Sequence, residues 1–112
     1  MKMVKLLFEG RNLANLDFWT KSDPYLVLSR LSKAGDKFIK VRKTEIIKNN
    51  LNPKWKILYL PLMELCDGDY FTRLKIDVWD YDYNSPDDFI GQAEVHFQFS
   101  NFQYNCKIKI YL

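Results

Sequence analysis

The sequence predicts an all-β fold, an antiparallel Greek-key sandwich of about seven to eight strands. Three observations carry the prediction. Apolar and polar residues alternate with a period of two more cleanly than they follow any 3.6-residue pattern. Clusters of turn-forming residues interrupt that alternation at short intervals. The composition, 47% hydrophobic with four Gly and four Pro in 112 residues, is that of a globular domain with a real core. In chain order, Val4, Leu6 and Phe8 alternate with Lys5 and Glu9, Tyr25 to Arg30 is a short β-rich run, and Phe38 to Glu45 mixes Ile39 and Val41 with Lys40 and Arg42. Trp55, Ile57 and Tyr59 form the fourth alternating run, and Leu62 to Leu65 has room for one helical turn. Leu74, Ile76 and Val78 then alternate with Lys75 and Asp77, followed by Ala93, Val95 and Phe97, and by Ile108, Ile110 and Leu112. The breaks fall at Ser22-Asp23-Pro24, Ala34-Gly35-Asp36, Asn49 to Pro53, Asp67-Gly68-Asp69 and Asn84 to Asp87.

A chain of 112 residues makes one domain, spanning 1–112, large enough to fold without disulfides or a structural metal. Cys66 and Cys106 therefore read as small reduced hydrophobes, which suits an intracellular compartment. No stretch approaches the roughly 18 apolar residues of a membrane-spanning helix, and the opening MKMVKLLFEG meets charge before a signal core forms. Net charge is +3, yet residues 1–56 hold thirteen basic and five acidic residues, whereas 57–112 hold four and nine. The basic half alone would suit nucleic acid, but that reading leaves the carboxylates unexplained, so no nucleic-acid partner is expected.

Those carboxylates concentrate in Val78 to Gly91, where Asp80, Asp82, Asp87 and Asp88 follow a hydrophobic strand. Residues two apart share a face of an extended chain, so Asp80 and Asp82 project together while the Pro86 turn folds Asp88 back toward them. Two carboxylates about 5 Å apart repel by roughly 3 kcal/mol at an effective dielectric near 20, a cost that a cation relieves. Hard oxygen ligands in a flexible loop favour calcium over zinc or magnesium. The same residues also suit a polar hairpin turn. An EF-hand is a third reading, opposed by Ser85 at its glycine position and Gly91 at its glutamate position. Catalysis is not expected: the acids lack a cleft, and His96 lies among Gln92, Glu94 and Gln98 on a solvent face, where it is no credible base.

A second acidic loop, Leu13 to Tyr25, together with Asn50-Leu51-Asn52-Pro53-Lys54-Trp55 and the 78–91 segment, closely resembles the C2 domain, a calcium-dependent phospholipid-binding β-sandwich. The resemblance runs through residues 4–97. Within that family the Lys43 to Trp55 segment and Leu65-Cys66-Asp67-Gly68-Asp69 are most similar to the second C2 domain of the copines. The resemblance implies calcium loops at one end of the sandwich. It places the family's five calcium-coordinating acids on Asp17, Asp23, Asp80, Asp82 and Asp88, with carbonyl ligands near Leu16 and Tyr81 and an extra oxygen at Ser85. Asp87 falls outside the motif and is expected to be solvated. Phe18 and Trp19 fall at the tip of the first loop, where family members carry residues that enter the bilayer.

Basic residues from Lys37 to Lys56 add attraction to anionic headgroups, at around 1 kcal/mol each near the surface. Of the family's concave-face lysine cluster only Lys43 is matched, Val27, Ser29 and Glu45 standing where lysines would be wanted, so a dedicated phosphoinositide site is not expected. In the commoner of the family's two topologies the chain begins at the second strand, so either the sequence is a trimmed one or the sheet edge is covered by another chain. A whole copine would add a second C2 domain and a von Willebrand A-type domain.

The resulting expectation is a cytoplasmic, peripheral membrane module, with calcium as its cofactor and anionic phospholipid membrane as its partner. The alternative is a protein-interaction sandwich in which calcium only stabilises and the partner is a polypeptide.

Overall fold

A computed structural model describes residues 3–15, 21–66, 71–98 and 105–111. Seven strands are present among them: β1 (Met3–Arg11), β2 (Pro24–Leu31), β3 (Phe38–Lys43), β4 (Leu58–Pro61), β5 (Phe71–Asp80), β6 (Asp88–Gln98) and β7 (Asn105–Tyr111). One short helix, α1 (Leu62–Cys66), follows β4, at the predicted helical turn. The strands form two sheets, ordered β4-β1-β7 and β3-β2-β5-β6. Pairing is antiparallel except between β1 and β7, which run parallel with Lys5 opposite Asn105 and Arg11 opposite Tyr111. β1 is thus an inner strand, paired on one side with β7, and among the described residues β4 and β7 are the outer strands of that sheet.

Alternation places the core. Val4, Leu6 and Phe8 of β1 are fully buried and pack in one cluster with Leu26 and Leu28 of β2 and with Leu74, Ile76 and Val78 of β5. In β5 the same phase buries Thr72 and carries one step past Val78 to Asp80, which is 1% exposed. A hydrophobic strand thus delivers an aspartate to its own buried face, at the end of the sheet.

The fourth strand departs from the expected one. Trp55, Ile57 and Tyr59 do not share a face: Trp55 is buried, Tyr59 is 61% exposed, and Leu60 takes the inward position. Three bonds change the phase. The Trp55 amide donates to the Phe8 carbonyl, the Lys56 amide donates to Glu45 Oε2, and the Trp55 indole donates to the Pro24 carbonyl at 3.2 Å. Glu45, standing where the family resemblance would want lysine, accepts this bond with its carboxylate.

Candidate functional site

Loops converge at the end of the four-stranded sheet where β2 begins, β5 ends and β6 begins. Asp23 precedes β2, Asp80 closes β5, and Asp88 opens β6 directly opposite Asp80 in the register. The Asp23 amide donates to Asp80 Oδ1 at 2.8 Å, and the Tyr81 amide donates to the Asp23 carbonyl at 3.0 Å. Asp23 Oδ1 in turn accepts from the Asn49 amide at 2.8 Å. Asn49 adopts a positive φ of 52°, a conformation that asparagine tolerates better than most residues.

The segment around Asn49 acts as a strap across the loop base. The Ile47 amide donates to the Pro24 carbonyl, the Asn50 amide to the Ser22 carbonyl, and the Leu13 amide to the Leu51 carbonyl. The Asn12 amide reaches Asn52 Oδ1 at 2.9 Å. Gly10 is required where the strap meets β1: its amide donates to the Pro53 carbonyl, and a Cβ there would lie 3.1 Å from both Leu13 Cδ1 and the Pro53 ring.

Asp82 lies two residues beyond Asp80. Its Oδ1 accepts from the Asn84 amide at 2.9 Å and its Oδ2 from the Ser85 hydroxyl at 2.5 Å. These bonds, the Ser85 hydroxyl first, hold its carboxyl below the usual aspartate range and keep it ionised. Ser85 therefore acts on Asp82. Asp87, expected to be solvated, is instead half-buried and structural: Oδ1 accepts from the Asp82 amide at 3.0 Å and Oδ2 from the Tyr25 hydroxyl at 2.5 Å. Burial, then the Asp87 hydrogen bond and charge, push the Tyr25 phenol up to about 12.

Of the predicted site residues, Asp23, Asp80, Asp82 and Asp88 lie on adjacent strand ends and the loop between them, with Tyr81 beside them. Leu16, Asp17, Phe18 and Trp19 lie outside the described residues. Among the described residues no three His, Cys, Asp or Glu side chains form a group that could hold a metal ion. The donor chemistry of the loops nevertheless suits calcium, being all oxygen, and a carboxylate that accepts one amide retains acceptor capacity. Lys43 is exposed at the end of β3 and lines a groove of about 220 Å³ with Tyr25, Tyr81 and Asp87. Tyr83, not among the expected site residues, is 84% exposed in the loop that carries Asp82. Its signal was an aromatic between turn residues, the one available without a structure.

The C2 domain family model matches residues 3–109. The chain belongs to the C2 domain family. Among solved structures, BON1-C2B, a copine-family C2 domain, is 33% identical with a TM-score of 0.68, covering 86% of this chain and 63% of that one. This agrees with the copine resemblance of the Lys43 to Trp55 segment. Human GIVD cytosolic phospholipase A2 is 24% identical with a TM-score of 0.62, the match covering 84% of this chain and 12% of the enzyme. A C2 domain of RIM from Drosophila shares the fold at 18% identity and a TM-score of 0.59, covering 91% of this chain and 90% of that one. The chain spans less than two thirds of BON1-C2B and about an eighth of the phospholipase. Among the described residues no helix of this C2 domain is long and apolar enough to cross a membrane.

Proposed function

We propose that this C2 domain docks reversibly on anionic phospholipid membranes when calcium occupies its aspartate loops. The observation that carries the proposal is the register pair Asp80 and Asp88, two aspartates directly opposite one another at neighbouring strand ends, with the Asp23 amide bonded to Asp80. Like charges facing each other across a ladder destabilise it, and a cation between them reverses that cost. Membership of the C2 family supports the reading, and Asp17, brought in from the first loop, completes the ligand set that the family resemblance implies.

Without cation, Asp23, Asp80, Asp82 and Asp88 give the loop end a negative charge that opposes an anionic surface. Calcium held there would supply positive charge and coordination positions for lipid oxygens. The chain then needs little rearrangement, because amides already orient the Asp23, Asp80 and Asp82 carboxylates. Phe18 and Trp19 from the first loop, joined by the exposed Tyr83, bury apolar surface at about 25 cal/mol per Å² on contact. Lys43, on the outer face of β3, adds attraction to headgroups. The chain acts as a binding module in the cytoplasm, peripheral to the membrane, and residues 1–112 form its single domain.

Tryptophan emission tests calcium dependence and insertion together. Emission is expected to shift blue only when calcium and phosphatidylserine vesicles are both present, and Trp19→Phe is expected to remove the shift. Trp55, buried in the core, gives a constant background. A shift that survives Trp19→Phe, or that needs no calcium, would count against the proposal.

A further inference from the structure

Asp87 and Tyr25 belong to none of the ligand positions, yet they form the longest-range side-chain bond in the 81–87 loop. The bonds that Asp82 makes with Asn84 and Ser85 span two and three residues and close the loop on itself. The Tyr25–Asp87 bond spans 62 residues and ties the loop to the central strand β2. Because the two oxygens of Asp87 accept from different donors, the Tyr25 hydroxyl and the Asp82 amide, the carboxylate is a bracket between strand and loop.

We infer that Tyr25 is a positioning residue for cation binding, holding Asp87, and through it the Asp82 backbone, so that the loop carrying Asp82 stays tied to the end of β2 beside Asp80 and Asp88. The inference rests on the calcium reading above. Like-charged side chains on one short loop push it open when no cation is bound, and ordering it must then be done at the expense of binding. A bracket that holds the loop closed beforehand removes that cost. Charge-assisted hydrogen bonds are strong enough to serve, and this one is made by a carboxylate outside the ligand positions, so engaging it withdraws no ligand oxygen.

Tyr25→Phe tests this cleanly, because it keeps the ring and changes no charge. Calcium titration calorimetry on the intact chain, well below its melting temperature, compares the wild type, Tyr25→Phe, Asp87→Ala and the double variant. Tyr25→Phe is expected to weaken calcium binding roughly three- to tenfold, the part of a charged hydrogen bond that the loop does not recover. Asp87→Ala is expected to weaken it further through lost charge, and the double variant to bind no worse than Asp87→Ala alone. Amide exchange at Asp82 should accelerate in Tyr25→Phe without calcium. A purely structural tyrosine would lower the melting temperature and leave affinity unmoved. Unchanged or tighter calcium binding by Tyr25→Phe, or additive losses in the double variant, would overturn the inference while leaving the calcium site standing. A wild type that binds no calcium would overturn both.

Discussion

At the scale of single residues, a carboxylate's role is decided by what its two oxygens accept. Asp82 and Asp87 are five residues apart, but Asp82 bonds to its own loop whereas Asp87 reaches across to Tyr25. The phenol records the difference. Because its folded-state pKa is raised from 10 to about 12, Tyr25 favours its protonated form in the folded chain, so its contribution to stability is complete below about pH 10 and is lost as pH rises through 12. In an ultraviolet titration of tyrosinate, Tyr25 is expected to ionise late. Asp87→Asn should bring that step earlier without restoring the ordinary value, since burial is the larger cause. If Tyr25 ionises near its ordinary value of 10, the Tyr25–Asp87 bond is not formed in solution.

At the scale of elements, the two sheets depend on how the 44–56 strap is anchored. Trp55 is 2% exposed, and its indole N–H donates to the carbonyl of Pro24, next to Asp23. Trp55→Ala is expected to cost about 3–5 kcal/mol in urea unfolding, and Trp55→Phe less, roughly 1–3 kcal/mol for the lost bond and volume. Gly10→Ala should cost about 1–3 kcal/mol, because the Pro53 ring cannot turn aside as a flexible side chain would. Values near zero would mean that the strap does not grip β1.

Most elements were legible in the sequence because alternation and burial obey the same period. Val4, Leu6 and Phe8 face inward as their spacing requires, and so do Leu74, Ile76 and Val78. The Trp55–Tyr59 run misled because three hydrogen bonds, to Phe8, Pro24 and Glu45, turn the chain, and none of those partners is near in sequence. Asp87 misled for the same reason, its partner lying 62 residues away. The return of Asp88 to a place opposite Asp80 was readable because strand pairing is local there, β5 and β6 forming one hairpin. The alignment of Asp23 with them was suggested by family resemblance and follows physically from the pairing of β2 with β5, which alternation alone does not specify.

At the scale of the whole molecule, charge is separated between a basic sheet edge and an acidic loop end. Lys40, Arg42 and Lys43 lie along β3, and Arg42 also pairs with Glu64 on α1. On the proposed docking, attraction through the basic edge would be screened beyond about 8 Å at physiological salt, whereas burial of loop aromatics would not. The two contributions therefore separate in a salt series. The most direct measurement is co-sedimentation with phosphatidylserine vesicles in calcium, in magnesium and in chelator, for the wild type and for Asp82→Asn combined with Asp88→Asn. Both substituted positions lie outside the buried core, so the apo fold is expected to survive. Wild-type protein is expected to sediment with vesicles in calcium alone and to retain part of that binding as salt rises, while the double variant stays in the supernatant. Equal sedimentation in calcium and chelator, or full calcium-dependent binding by the double variant, would contradict the proposal.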